Sequence, residues 1–352
     1  MFAQQGCDAT ESLTGRRDLI TELPILVLNI HSRCNCRCVM CDIWKREEGA
    51  EIRVASLQRH RESLRRLSVR WVVFSGGEPL LHSDLRALCT FFRELDIRIT
   101  LLTTGLLLTK RAAEVSELFD DLIVSVDGPA DVHDAIRRVN GAFHLIETGI
   151  SKIRELRPDM RITGRTTVQK SNFLHLRDTV ASAKAIALDS ISFLAADLTS
   201  EAFNRPLLWP TERQNEIGLT LNEVCALRDE IEALITDYWE EVRTGYIAES
   251  AGKLRKIANH FSAQLGVSKH QSPRCNAPWV SAVIETDGSV RPCFFHRVIG
   301  NLRDSTLENI VNGEGGQSFR QTLQVDKNPM CQRCVCSLHY SGSQKGAQWT
   351  KS

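Results

Sequence analysis

Six short apolar segments of β type recur between residues 24 and 196, and stretches of helical period lie between most of them. The apolar segments are rich in β-branched residues, which is typical of buried strands. They lie at Ile25–Ile30, Val69–Phe74, Ile97–Leu102, Leu122–Val126, Ile162–Val168 and Ile191–Ala195. A chain that alternates strands and helices in this way is restricted to folds in which helices cover a parallel sheet.

The amphipathic stretches are long enough to return the chain to the same end of the sheet. They lie at Ser83–Leu95, Thr109–Phe119, Gly141–Leu156 and Leu174–Leu188. Crossovers of this kind are right-handed. Six units predict the α/β class, with a partial (β/α)6 barrel that is similar to a TIM barrel, in preference to an open doubly wound sheet.

Residues 24–196 form the predicted core, and residues 1–23 precede it as an N-terminal extension. Residues 197–270 carry long helical patterns at Leu219–Arg243 and Ile247–Leu265, which predict a helical bridge. Thr211 follows Trp209 and Pro210 and is typical of a helix N-cap.

Residues 271–352 differ again, because two β-type runs flank the dipeptide Asp287-Gly288. The runs are Val280–Thr286 and Ser289–Phe295. Asp-Gly between two such runs is a strong hairpin signal. We therefore predict a small C-terminal domain built around a β-hairpin.

Composition restricts the partners and the cellular compartment. Lys and Arg number 44 against 43 Asp and Glu, so the formal charge of +1 leaves no basic surplus for a nucleic acid. No apolar run is long enough to cross a bilayer, and the first residues lack the apolar stretch of a secretory signal. We predict a cytoplasmic protein that binds neither nucleic acid nor membrane. In that reducing compartment, twelve cysteines indicate metal or redox chemistry.

The first cysteine group lies in the loop after the first predicted strand. Cys34, Cys38 and Cys41 have CxxxCxxC spacing. That loop lies at the end of the barrel where α/β barrels carry their chemistry. Three thiolates hold three irons of a cubane cluster and leave the fourth iron open. The alternative is a zinc site that also uses Cys36, although paired CxxC elements are more typical of zinc.

The segment Phe-Ser-Gly-Gly-Glu-Pro at residues 74–79 follows the second predicted strand. Together with CxxxCxxC, it resembles the radical S-adenosylmethionine (SAM) superfamily over residues 24 to 196. The resemblance implies a 4Fe–4S cluster whose open iron binds SAM, and reductive cleavage of SAM to a 5′-deoxyadenosyl radical. Gly76 and Gly77 are then predicted to let the backbone approach the methionyl group. Glu78 is predicted to add a carboxylate beside the methionyl ammonium.

Three further residues are predicted by the resemblance to contact SAM. Ser125, in a Ser-x-Asp-Gly segment after the fourth strand, is expected to donate a hydrogen bond to the ribose or the carboxylate. Arg165 on the fifth strand is expected either to bind that carboxylate or to form a structural ion pair. Met40, between two of the cysteines, is expected to pack against adenine.

The second cysteine group lies in the C-terminal region. Cys275 and Cys293 flank the predicted hairpin turn and resemble the opening of the SPASM extension or its shorter twitch form. On that resemblance, Cys331 and Cys334 complete one auxiliary 4Fe–4S cluster without an open iron. Whether Cys336 replaces Cys334 stays open. A zinc site with four cysteines is the alternative.

Two clusters and SAM together predict a radical SAM oxidoreductase that abstracts hydrogen from a small molecule such as a sugar, an aminocyclitol or a nucleotide-linked metabolite. A flavodoxin or ferredoxin is the expected electron donor. Asp197, Asn204, Arg205 and Trp209 follow the last strand and are candidate substrate contacts.

Two alternatives remain. The first is a peptide-modifying enzyme, which is less favoured because few residues precede the first strand to form a peptide-recognition domain. The second is a non-enzymatic iron–sulfur or zinc protein, which explains the cysteines but leaves the Gly-Gly-Glu segment unexplained.

Overall fold

The computed structural model describes residues 19–341 except residues 47, 204 and 206. Its core is a sheet of six parallel strands in chain order, each paired with the next. The strands are β1 Ile25–His31, β2 Trp71–Gly76, β3 Arg98–Thr103, β4 Asp121–Ser125, β5 Arg161–Val168 and β6 Ser190–Ala195. All six predicted strands are present, and the parallel α/β core is confirmed.

Helices connect successive strands of this sheet. They are α1 Val54–Leu57, α2 Arg61–Arg66, α3 Leu85–Arg93, α4 Leu108–Leu118, α5 Ala130–Arg137, α6 Ala142–Leu156 and α7 Leu176–Ala185. Helices α3, α4, α6 and α7 were predicted. The sequence analysis missed α1, α2 and α5, because each of them is too short to show several turns of helical periodicity.

The predicted helical bridge consists of α8 Thr211–Ile217, α9 Leu221–Asp237, α10 Trp239–Thr244 and α11 Ala251–Gln264. The prediction of Thr211 as an N-cap is wrong, because Pro210 occupies that position and no side chain caps the helix. The capping box lies instead at the start of α9. Thr220 accepts from the N–H of Glu223, whose carboxylate accepts from the Thr220 N–H.

The C-terminal region contains α12 Ala277–Val280, β7 Ser281–Ile284, β8 Ser289–Arg291, β9 Gly300–Asn301, α13 Leu307–Asn312, α14 Glu314–Thr322 and α15 Pro329–Gln332. The predicted hairpin is present, although its strands are shorter than predicted. Gly288 has φ +82°, a conformation that glycine adopts without strain.

Strand β7 also pairs in parallel with β1, from Ile25 opposite Ser281 to Leu28 opposite Ile284. The sheet therefore has nine strands in the order β6-β5-β4-β3-β2-β1-β7-β8-β9. As a result, the C-terminal region continues the sheet of the parallel core on the β1 side. The boundaries predicted at residues 23, 196 and 270 stay a prediction, since one sheet runs through the core and the C-terminal region.

Candidate active site

The carboxyl ends of the parallel strands open into one large cavity of about 1750 Å³. Its walls come from the loop at residues 31–46, the ends of β2 to β6, the segment at residues 197–210 and the C-terminal region. Ligands in parallel α/β folds bind at this end of the strands. The predicted site residues Cys34, Cys38, Cys41, Gly76 and Gly77 all line it.

Only three cysteines of the first group face this cavity. Cys34, Cys38 and Cys41 line it, whereas Cys36 is 1% exposed and is absent from its walls. Burial raises the pKa of Cys41 to about 12. A hydrogen bond from Cys36 lowers the pKa of Cys38 to about 6, against the effect of burial. The arrangement favours Cys36 as a bystander, that is, a cysteine that binds no iron, and this role stays a prediction.

Helix α5, which the sequence analysis missed, holds the backbone of this cysteine loop. The N–H of Arg37 donates to the carbonyl of Arg137 at 3.2 Å, and the N–H of Val39 donates to that of Ile136 at 3.0 Å. Both carbonyls belong to the last turn of α5, where helical carbonyls lack intrahelical partners. Cys38 lies between the two anchored residues and is therefore fixed on both sides.

The Gly-Gly-Glu turn packs directly against the same loop. The N–H of Gly77 donates to the carbonyl of His31, and that of Glu78 donates to the carbonyl of Arg33, both at 2.8 Å. A Cβ on Gly77 would lie 2.0 Å from the Arg33 oxygen, and one on Gly76 would lie 2.5 Å from the His31 oxygen. Close approach to the cysteine loop is therefore a second reason for both glycines.

The Glu78 side chain is fully buried and does not line the cavity. It accepts from the Leu80 N–H at 3.0 Å, the Thr103 hydroxyl at 2.8 Å, and the Thr104 N–H and hydroxyl at 2.7 Å. Burial raises its pKa, and these four donors act in the opposite direction. The geometry shows a carboxylate that joins the turns after β2 and β3. Its predicted contact with the SAM ammonium stays a prediction.

We expect Gly77→Ala to displace Arg33 and to distort the adjacent cysteine loop. Overpacking of this kind costs about 1–3 kcal/mol, so the melting temperature should fall and iron binding after anaerobic reconstitution should decrease. Gly252→Ala in helix α11 is the matched control, because its added Cβ meets no atom within 4 Å beyond its chain neighbours and the backbone of its own helix. It should keep full iron and change stability by at most about 1 kcal/mol, in the stabilising direction. Full iron content in Gly77→Ala would contradict this account.

The remaining predicted SAM contacts also reach the cavity. Ser125, Arg165 and Met40 line it. Arg165 Nε lies 3.4 Å from the hydroxyl of Ser192 on β6. Met40 packs against a small buried cluster that includes Trp209. Their positions are compatible with the predicted roles, which no contact in the structure tests.

The candidate substrate residues after β6 form a buried network beneath the cysteine loop. Arg205 donates to the carboxylate of Asp197 at 2.9 Å, lies 3.7 Å from the ring centre of Trp209, and donates to the Met40 carbonyl at 3.3 Å. Trp209 Nε1 donates to Asp42 at 2.7 Å. These residues support the loop in addition to lining the cavity. The fourth candidate, Asn204, lies outside the described residues.

The C-terminal cysteines converge on a second, narrow cavity of about 40 Å³. Its lining includes Cys275, Cys293, Cys331, Cys334 and Cys336. Burial raises the pKa of Cys293 to about 11 and that of Cys331 to about 12. Buried thiols with raised pKa values are ionised when a metal binds them, so the donor chemistry suits an iron–sulfur cluster.

Two details of this second group were absent from the sequence analysis. Cys336 lines both the narrow and the large cavity, unlike the other four cysteines. His296 Nε2 lies 3.4 Å from the Cys331 sulfur.

Among residues 19–341, apart from the three gaps, no group of Cys, His, Asp or Glu is spaced to hold a single metal ion. Cluster ligands bind separate irons and need wider spacing than ligands of one ion.

Comparison with known proteins decides the family. Residues 28–181 match the Radical SAM superfamily, and residues 275–335 match SPASM, an iron–sulfur cluster-binding domain. An AdoMet-dependent heme synthase of Nitratidesulfovibrio vulgaris is 30% identical over 277 residues, which cover 75% of this chain and 71% of that protein. The chain belongs to the radical SAM superfamily. Its SPASM region makes it a radical SAM enzyme with an auxiliary iron–sulfur domain, so 4Fe–4S clusters and SAM are its cofactors.

Other relatives of this radical SAM enzyme match over different lengths. An AdoMet-dependent heme synthase of Methanosarcina barkeri is 29% identical over 86% of this chain and 85% of its own length. The pre-heme d1 synthase of Dinoroseobacter shibae is 31% identical over 43% of this chain, which spans only 38% of that relative. Activity, substrate and partners are therefore matters for proposal.

Solved structures agree on the fold of the radical SAM enzyme. The anSMEcpe structure with bound AdoMet has a TM-score of 0.64 at 18% identity, over 89% of this chain and 88% of that one. Streptococcus suis SuiB bound to precursor peptide SuiA has a TM-score of 0.62 at 14% identity, over 92% and 73%. At these identities the likeness concerns the fold alone. No helix in the described part of the chain is long and apolar enough to cross a membrane.

Proposed function

We propose that this radical SAM enzyme abstracts hydrogen from a small-molecule substrate and that the overall reaction is an oxidation. The observation that supports the proposal is the position of Cys336, which lines both the large cavity and the narrow C-terminal cavity. Cys34, Cys38 and Cys41 line the large cavity from the loop after β1, and the other four C-terminal cysteines line the narrow one. A substrate bound in the large cavity therefore lies beside the first cysteine group and beside Cys336, which connects this cavity to the other C-terminal cysteines.

When bound, the cofactors supply a 5′-deoxyadenosyl radical and a one-electron acceptor. The proposed ligands are Cys34, Cys38 and Cys41 for the first cluster, and Cys275, Cys293, Cys331 and Cys334 for the auxiliary one. Ser125, Arg165 and Met40 are the proposed SAM contacts on the cavity wall. The proposed electron donor is a flavodoxin or ferredoxin, and the proposed compartment is the cytoplasm.

The charges of the cavity favour a substrate with acidic groups. Arg291, Arg297 and Arg333 line the C-terminal wall. Arg291 pairs with Glu285 at 3.3 Å. Among the described residues, Arg333 donates to the Pro329 carbonyl, and neither Arg297 nor Arg333 forms an ion pair with a carboxylate. Guanidinium groups bind carboxylates and phosphates through paired N–H donors. We propose that these two arginines bind acidic groups of the substrate.

A tetrapyrrole is the second candidate for the substrate. The relatives named as heme synthases match over 85% and 71% of their own lengths. The cavity also contains an aromatic group, in which Phe203 stacks with Phe294 at 6.4 Å and meets Phe295 edge-on at 6.3 Å. Aromatic rings and guanidinium groups suit a flat macrocycle with acidic side chains.

A peptide substrate is the remaining alternative. The likeness to SuiB and anSMEcpe shows the fold alone, and a large cavity lined by arginines does not distinguish a peptide by itself. Membership of the radical SAM superfamily favours an enzyme over a non-enzymatic iron–sulfur protein. The peptide alternative is therefore an outcome of the test below.

We expect hydrogen from a small anionic substrate to appear in 5′-deoxyadenosine. The reconstituted enzyme is incubated with SAM, a reductant and one deuterated candidate at a time, and deuterium in 5′-deoxyadenosine is measured by mass spectrometry. The candidates are an iron porphyrin with propionate groups, a phosphorylated sugar, an aminocyclitol and a short peptide. Label from an acidic small molecule, together with an oxidised product, supports the proposal.

A double variant tests whether Arg297 and Arg333 bind acidic groups of the substrate. Arg297→Gln and Arg333→Gln, made together, should raise the KM for the acidic substrate at least tenfold, which corresponds to about 1.4 kcal/mol. Cleavage of SAM without substrate should be unchanged. Label transfer only from the peptide would contradict the proposal, as would a redox-neutral product.

A further inference from the structure

A buried ion pair lies beside the first cysteine group. Arg137, in the last turn of α5, donates from Nε to the carboxylate of Asp127 at 2.7 Å. Asp127 is fully buried and Arg137 is 7% exposed. Burying two charges is costly unless both are well paired, so a pair that serves only stability is a weak explanation for it.

The other end of the guanidinium points at a predicted cluster ligand. Arg137 Nη1 lies 3.5 Å from the sulfur of Cys38 and lines the large cavity. The main chain of Arg137 accepts from Arg37, next to Cys38, at 3.2 Å. One residue therefore fixes the loop through its backbone and directs a positive N–H group at the ligand sulfur.

Neighbouring groups hold the pair in place without adding a second positive charge. The N–H of Thr167 on β5 donates to Asp127 Oδ1 at 3.0 Å, and Asn172 donates to the Asp127 carbonyl at 2.9 Å. His133 accepts from the Asp127 N–H at 3.2 Å, and burial lowers its pKa to about 4, so this imidazole is neutral near pH 7. The positive charge that contacts Cys38 is therefore that of Arg137.

We propose that Arg137 is a positioning residue that raises the reduction potential of the first cluster through the sulfur of Cys38, and that Asp127 limits this effect. Reduction adds a negative charge to an iron–sulfur cluster, and hydrogen bonds to its sulfurs and nearby charges set its potential. A guanidinium at the ligand sulfur stabilises the reduced form. The Asp127 carboxylate partly cancels that charge. The inference depends on the proposed ligation by Cys34, Cys38 and Cys41.

The test is an EPR-monitored redox titration of the anaerobically reconstituted full-length enzyme. The signal of the first cluster is identified by its change on addition of SAM. Arg137→Gln should lower the ratio of reduced to oxidised cluster at a fixed potential at least tenfold, which is about 59 mV for one electron. Arg137→Lys, which keeps the charge, should restore most of that loss. Asp127→Asn should shift the ratio in the opposite direction.

Shifts of the reduction potential in opposite directions for Arg137→Gln and Asp127→Asn indicate an electrostatic role. A structural role predicts shifts in the same direction, because either substitution would loosen the site and admit water. Arg86→Gln is the control, since it removes the same charge from the exposed Arg86–Glu117 pair, 2.7 Å apart, and should leave the potential unchanged. An unchanged potential in Arg137→Gln with full iron would overturn the proposal, and so would shifts of one sign. If Arg137→Gln binds no cluster, the other two variants decide. A potential close to that of the wild type in Arg137→Lys and a raised potential in Asp127→Asn support the proposal, whereas an unchanged or lowered potential in Asp127→Asn overturns it. A first cluster that persists without Cys34, Cys38 and Cys41 would instead overturn the ligand assignment.

Discussion

Replacement of Cys34, Cys38 and Cys41 by alanine is expected to abolish SAM cleavage. These three thiols line the large cavity together, and a radical SAM enzyme needs a cluster there to bind and reduce SAM. The variant should fall from about eight irons to about four after reconstitution, because only the auxiliary cluster remains. Iron and sulfide analysis measures the loss of the first cluster, and chromatographic quantification of 5′-deoxyadenosine measures the loss of SAM cleavage.

Cys36 offers a control within the same loop. It is buried and does not line the cavity, so Cys36→Ala should keep about eight irons and retain SAM cleavage. Continued formation of 5′-deoxyadenosine by the triple variant would contradict the assignment. Loss of the first cluster in Cys36→Ala would show that the bystander role is wrong.

Replacement of Cys275 and Cys293 by alanine should separate SAM cleavage from product formation. Both thiols line the narrow C-terminal cavity, away from the loop after β1. The variant should lose about four irons and still form 5′-deoxyadenosine, while formation of the oxidised product falls below detection. The measurement is the ratio of product to 5′-deoxyadenosine, with the substrate identified by deuterium transfer.

Structural bracing by the auxiliary cluster is the competing explanation, because metal ligation also contributes folding energy. Unchanged substrate affinity with failed oxidation supports electron transfer, whereas normal turnover would refute it. Cys225→Ala, at an exposed cysteine of α9, is the control and should behave as wild type. Iron content of Cys334→Ala and Cys336→Ala, compared singly, identifies the fourth ligand.

Much of the fold could be predicted because its signals are local. Strands β1 and β2 are short runs of mostly apolar, buried residues, and β5 alternates buried and half-buried residues, so each pattern is visible within its own segment. The cysteine loop and the Gly-Gly-Glu turn follow β1 and β2 directly, so parallel topology alone brings them to the same end of the sheet. The α/β core and its cofactors were therefore predictable.

The supporting contacts were not predictable, because they join residues far apart in the sequence. Arg137 and Cys38 are separated by 99 positions, and Trp209 and Asp42 by 167. No periodic pattern records such pairs. The pairing of β7 with β1 has the same origin, since a hairpin motif specifies its own turn but not the strand it joins.

Glu78 and Gly77 show a second limit of the sequence analysis. The motif identified both residues and led to predicted contacts with the cofactor, which stay predictions, but it did not reveal the packing contacts that the structure shows. Gly77 faces the Arg33 carbonyl, and Glu78 binds donors on β3 and the turn after it. A motif records which residues occur together, whereas only the folded geometry shows which atoms they contact.

The most direct test of the central claim uses the wild-type enzyme alone. Anaerobically reconstituted protein is incubated with SAM and dithionite, and 5′-deoxyadenosine and methionine are quantified over time, with the reduced cluster monitored by EPR. The account predicts that both products form in equal amounts and that neither forms without reductant. If the first cluster is intact and reduced, and SAM nevertheless remains uncleaved, the assignment of Cys34, Cys38 and Cys41 as the radical-generating centre is contradicted.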